Sequence, residues 1–175
     1  MSGRPIRVHL GGQQVKAGWE IVDAVPAPHV DHIGSCVSLP WYADNTVEEV
    51  YASHVLEHLG FRSELPRALR EVRRILKPGG RFCISVPDFE ILCRLFVHPE
   101  VPPEERFSLM LHVFGEQTDD YDFHKIGLTF DFLLKFLGEA GFQSARRVEN
   151  FGLFDDYSTF TRFGVPISLN VEAFK

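Results

Sequence analysis

Ser53, His54, Glu57 and His58 place a hydroxyl, two imidazoles and a carboxylate within one short stretch, VEEVYASHVLEHL (47–59). His54-x-x-Glu57-His58 has the H-x-x-E-H form of an inverted zinc protease site. That chemistry needs both histidines on one helix face, a further carboxylate ligand and a base beside the metal. Here a β-branched run (Val47, Val50, Val55) feeds the motif, and no second acidic helix follows it. We therefore assign no metal to it from sequence. The pattern predicts a strand that arrives at a small-residue turn with polar groups gathered at its end. In open α/β sheets such strand ends form the crevice where ligands bind. The structural alternative is a buried strand whose histidines hydrogen-bond into the core.

Two further positions carry chemistry. Asp23 closes a predicted strand, where a carboxylate commonly accepts from the two hydroxyls of a ribose; otherwise it is a turn residue before Pro26 and Pro28. His124, in YDFHK, lies in a polar loop and titrates near neutrality, so it can take a hydroxyl proton, with Asp122 close enough in sequence to orient it. His29 and His32 point to opposite faces of an extended segment and make no ligand pair.

The elements that must position these residues are legible in order. Ile6–Leu10 reads as a strand ended by Gly11-Gly12, and Gln13 to Gly18 is too short for a helix before the next strand, Trp19–Val25. Val30–Gly34 is a third short strand, and Leu39 to Asn45 an aromatic-rich turn. Ser63–Leu76 reads as a helix with Ser63 as N-cap and an apolar stripe of Leu65, Leu69, Val72 and Leu76. Its cations (Arg67, Arg70, Arg73, Arg74, Lys77) read as a solvated face. Arg81–Val86 is a fifth strand. Pro102-Pro103-Glu104-Glu105 opens a second helix, and Thr129 caps a third, Phe130–Ala140, closed by Gly141. Strands near Ala145–Asn150 and Ile167–Phe174 end the chain.

The 175 residues suit a single domain, 1–175. A net charge of −6 argues against general binding to nucleic acid or anionic membranes, and no long apolar stretch indicates a signal peptide or span. Three cysteines without a metal-ligand cadence read as reduced thiols of a cytoplasmic protein. Oligomeric state is left open.

Taken in order and spacing, VHLGG, GWEIVD, LPWYADNTVEEVYASHVLEHL, ELPRALREVRRILKPGGRFCISVPD and YDFHKIGLTFDFLLKFLGEAGF resemble a class I S-adenosylmethionine-dependent methyltransferase of the type 11 superfamily, in its short branch. The resemblance implies an α/β Rossmann-like sheet of seven strands, the last antiparallel, with helices on both faces but fewer near the N-terminus. It implies S-adenosylmethionine as cofactor, with Gly11 and Gly12 under the methionine moiety, Asp23 on the ribose, and Ser53 and His54 at the sulfonium end. Ser35 occupies the position of the acid that meets the adenine amino group, and Gln13 stands where the second glycine of the turn belongs.

The expected activity is methyl transfer to a small-molecule acceptor, a hydroxyl of a sugar-like or other metabolite, with His124 as its base. His54, nearer the sulfur, and His58, packed behind the strand end, are the rivals. The alternative function is a binding or scaffold protein on the same fold with a degenerate cofactor pocket.

Overall fold

In the computed structural model, which describes residues 5–175, the side chains of four strands alternate between two unlike faces. The strands β1 (Ile6–Leu10), β2 (Glu20–Asp23), β3 (His32–Ile33), β4 (Val47–Ser53) and β5 (Leu76–Pro87) run parallel; β6 (Ser144–Arg147) and β9 (Ser168–Phe174) complete the sheet. Their order is β3-β2-β1-β4-β5-β9-β6, with β9 antiparallel to both of its neighbours. Val8, Val50, Phe82 and Ala173 share one register row, and Leu10, Ala52, Ile84 and Val171 another. All eight are buried in the main core. The row between them is His9, Tyr51, Cys83 and Glu172, which faces the opposite side because side chains alternate along a strand.

The apolar face packs against α1 (Glu64–Ile75) and α4 (Phe130–Ala140), through Leu65, Leu69 and Val72 from one and Leu133 and Leu137 from the other. On the opposite face the segment after β6 lies across the sheet: Phe151, Leu153 and Phe154 pack on Trp19, Tyr51 and Cys83. The Tyr51 hydroxyl donates to Asp156 at 2.8 Å, and the Asn170 amide donates to the carbonyls of Glu149 and Ser158. Toward the other end of this face a cross-strand ladder of charge runs Arg7–Glu49–Arg81–Glu172–Arg146.

Several expected elements change at their edges. The second strand is Glu20–Asp23 rather than Trp19–Val25, since the Asp23 carboxylate accepts from Val25 N–H and turns the chain. The third is only His32–Ile33. Ser63 sits at the N-cap of α1 without capping it; the Gly60 carbonyl takes the N–H groups of Glu64 and Leu65, and the Glu64 carboxylate takes Gly60 N–H at 2.7 Å. Arg74 is no solvated cation: it clamps Asp44, Glu71 and the carbonyls of Leu39 and Tyr42. The fifth strand begins at Leu76, with its register broken across Lys77–Gly80. Thr129 caps α4, and Gly141 closes it with φ +92°, a left-handed conformation that glycine adopts without strain.

Two elements were not anticipated. Asp88, expected only to end the fifth strand, accepts from Ile91 N–H and caps a helix, α2 (Phe89–Phe96). It packs with α3 (Pro103–Phe114) around Leu92, Val101, Leu109 and Ile167. A small hairpin, β7 (Thr161–Arg162) with β8 (Val165–Pro166), interrupts the aromatic segment before β9.

Candidate active site

The carboxyl ends of β4 and β5 open into a cavity of about 560 Å³, walled by α3, the loop 115–129 and the segment 157–168. Its polar lining includes His54, His58, His112, His124, Arg162 and the carboxylates of Glu116, Asp119 and Asp122, and its apolar lining Leu111, Phe160 and Ile167. Sequence position alone separates these histidines widely. The fold joins them because the backbone N–H of Lys125 donates to the Glu57 carbonyl at 2.7 Å, which docks the loop onto the single 3-10 turn Leu56–His58 that follows β4. Lys125 Nζ meets Glu64 at 3.2 Å and fastens the same loop to α1.

His54 enters the cavity in the left-handed region, φ +54°, a conformation that costs a non-glycine residue energy and clusters at functional sites. Its Nε2 lies 3.2 Å from Ser168 Oγ, while Ser168 itself donates to the Tyr157 carbonyl at 2.8 Å. The serine proton is thus committed, and His54 Nε2 is the donor. His54 Nδ1 faces Glu57 Oε1 at 3.3 Å.

Glu57 is 1% exposed, and neither carboxylate oxygen receives a directed hydrogen bond. Burial alone would raise its pKa, but the contact with His54 and the fields of His54, His58 and His124 hold the carboxyl below the usual range. His58 Nδ1 lies 3.2 Å from the Phe123 carbonyl and His124 Nδ1 lies 3.1 Å from the His112 carbonyl. Carbonyls only accept, so both Nδ1 atoms carry protons and both Nε2 atoms, in the neutral rings, carry lone pairs. The two rings meet edge to face with centroids 4.8 Å apart. Burial lowers the His124 pKa, with the Glu57 charge opposing and His58 adding to the depression. His112 is lowered by burial and by Arg162, whose Nε lies 3.4 Å from His112 Nε2.

The residues expected to hold the cofactor lie along the neighbouring strand ends. Of them only His54 lines the cavity shared with His124. Gly11 has φ +67°, and a Cβ there would stand 2.5 Å from Val55 Cγ2; one on Gly12 would stand 2.7 Å from the His9 ring. Both glycines are therefore required by their own packing. Asp23 ends β2, and its Oδ2 accepts from the Gln13 side-chain amide at 3.2 Å. Ser35 is exposed two residues past β3, its hydroxyl 3.4 Å from Val37 N–H. Ser53 ends β4 with a buried hydroxyl that has no partner. An accessible carboxylate at the end of β2 and an orphaned hydroxyl at the end of β4 are groups that a ribose-bearing cofactor could satisfy, so the residues present fit such a ligand.

His58 corrects the sequence reading. It faces the cavity rather than packing behind the strand end. Glu57, singled out in the motif, was given no role from sequence, and His112 and Arg162 were passed over. The H-x-x-E-H spacing was the signal for Glu57 and His58; nothing local in sequence marks His112 or Arg162.

Comparison with known proteins bears on the fold. Residues 13–84 match the family model described as a methyltransferase domain. An uncharacterized 37.1 kDa protein in transposon TN4556 of Streptomyces fradiae is 31% identical over 91 residues, which are 52% of this chain. The chain spans about a quarter of that relative's length. Among solved structures, an Archaeoglobus fulgidus SAM-dependent methyltransferase superposes with a TM-score of 0.62 at 15% identity, covering 99% of this chain and 87% of that one. One from Mesorhizobium loti gives 0.56 at 18% identity, covering 98% and 90%. The sheet order is that of the S-adenosylmethionine-dependent methyltransferase fold, and residues 13–84 of this chain are similar to a methyltransferase domain.

Proposed function

We propose that the chain binds S-adenosylmethionine along the ends of β1, β2 and β4 and methylates a hydroxyl of a small metabolite held in the adjoining cavity. The observation that carries this reading is the cavity itself, which opens beside those strand ends and is lined by His54, His58 and His124. When bound, the cofactor supplies an electrophilic methyl on a sulfonium. Asp23 would hold the ribose hydroxyls, with Gly11 and Gly12 below the methionine moiety, Ser35 toward the adenine, and Ser53 and His54 at the sulfonium end.

The chain's own contribution is positioning and proton transfer. His124 presents an unprotonated Nε2 because its Nδ1 proton is committed to the His112 carbonyl. Burial keeps that nitrogen neutral, ready to accept the acceptor's proton. Arg162 offers a cation at the cavity wall to an anionic part of the same acceptor. Free thiols at Cys36, Cys83 and Cys93 support a reducing, cytoplasmic setting. Among the described residues no helix is long and apolar enough to cross a membrane. The acidic net charge supports an acceptor other than nucleic acid.

The test is methyl transfer by His124→Asn. The expected result is a loss of about a hundredfold or more in turnover with cofactor affinity intact. Unchanged turnover with a lowered melting temperature would make His124 structural. One observation favours the scaffold alternative: Gln13 already occupies an oxygen of Asp23. A native chain that binds no cofactor would decide for it.

A further inference from the structure

Glu57, His58 and His124 each bring one metal-ligating atom to a common point, all within 4.8 Å of one another. A cation with bonds of about 2.0–2.2 Å at tetrahedral angles would draw them together by roughly an ångström, within reach of side-chain rotation. Three features make this a built site rather than a chance meeting of polar groups. Glu57 is buried, and both its oxygens lack a hydrogen-bond donor. His58 and His124 each commit Nδ1–H to a backbone carbonyl, the outer contact that fixes the tautomer of a metal-ligating histidine and leaves Nε2 as the donor atom. His54 donates through Nε2 to Ser168 and holds its Nδ1 3.3 Å from Glu57 Oε1, so it borders the carboxylate. The centre is therefore rich in lone pairs and poor in protons, and it opens to the cavity through His58 and His124.

We propose that Glu57, His58 and His124 bind one divalent first-row transition cation, of which Zn²⁺ is the best fit to two imidazoles and a carboxylate. Nitrogen donors disfavour Mg²⁺ and Ca²⁺, which take oxygen. His54 acts as a positioning residue that borders the Glu57 carboxylate. Three protein ligands leave a coordination position for water or for an acceptor oxygen on the cavity side. A bound cation would take up the His124 lone pair as a ligand and, as a Lewis acid, would lower the pKa of a coordinated acceptor hydroxyl so that its proton could pass to water in the cavity. The arrangement differs from the protease reading of H-x-x-E-H, because the motif sits on a 3-10 turn after a strand and its third ligand comes from a distant loop.

The experiment uses the full chain, without an affinity tag, stripped with a chelator and free of cofactor and acceptor. The failure of methyl transfer would thus leave it untouched. Zn²⁺ is titrated by calorimetry and Co²⁺ by its visible absorption. We expect one equivalent bound at micromolar affinity or tighter, and a Co²⁺ spectrum of a low-coordinate nitrogen and oxygen site. His58→Asn and His124→Asn should each weaken Zn²⁺ binding at least tenfold, as should Glu57→Gln, while His98→Asn, at an exposed histidine elsewhere, should not. His58 is partly exposed, so its variant reports even if the buried Glu57→Gln chain fails to fold. No binding at a hundred micromolar Zn²⁺, or binding that persists unchanged in His58→Asn and His124→Asn, would overturn the proposal.

Discussion

Gln13 rests its amide on the carboxylate proposed to hold a ribose, 3.2 Å from Asp23 Oδ2. Both groups are accessible, so the contact is worth little to stability, but a ribose held by Asp23 would have to displace it. Replacing Gln13 with Gly is expected to tighten cofactor binding by about 1 kcal/mol, roughly fivefold, as the competing bond is removed. Calorimetry on the variant checks this, and weaker binding would mean that Gln13 itself touches the cofactor. At this scale the sequence was only partly readable. Asp23, Ser53 and His54 fall at strand ends as their positions suggested. The meeting of His58 with His124 depends on the loop docking through Lys125 N–H, a contact between segments far apart in the chain that no local periodicity encodes.

Among the elements, the segment after β6 does work that a helix would otherwise do, covering the sheet beside β1 and β4. It is held by ring packing of Phe151 and Phe154 on Tyr51 and by the Tyr51–Asp156 hydrogen bond. Tyr51 is fully buried, so Tyr51→Phe removes the donor and leaves Asp156 with one partner fewer. The expected cost is about 1–3 kcal/mol in denaturant unfolding, with faster proteolytic cleavage within residues 149–160. An unchanged midpoint and cleavage rate would show that the segment is held by packing alone. Elements with strong periodicity or caps, β1 and α4, were readable from sequence to the residue. Helix α2 was not: at eight residues it is too short to show a period, and its cap, Asp88, reads equally well as the end of a strand.

Across the whole molecule, the face that carries His9, Tyr51 and Cys83 makes stability depend on acid. His9 is buried among Trp19, Tyr51 and Phe154. Burial, opposed in part by Asp156, pushes its pKa down from 6.5 to about 4. Between those values the unfolded chain binds a proton that the folded chain refuses. The contribution is therefore complete above pH 6.5 and lost as pH falls toward 4. Its full size is roughly 3 kcal/mol. His9→Phe should flatten the fall in melting temperature across that window, and an identical acid limb in the variant would assign the loss to other groups. Below it, Glu172, whose burial is outweighed by Arg146 and Arg81 so that its pKa lies low, adds a second loss as the carboxylate protonates.

The central claim, that this chain uses its fold to hold S-adenosylmethionine for methyl transfer, is tested most directly by calorimetric titration of the purified chain with that cofactor and with its demethylated product. The account predicts one site per chain, with a stabilisation of about 2.7 kcal/mol at a hundredfold excess over Kd, and the loss of most of that gain in Asp23→Ala. Absence of binding by the native chain at millimolar cofactor, or binding unaffected by Asp23→Ala, would contradict it.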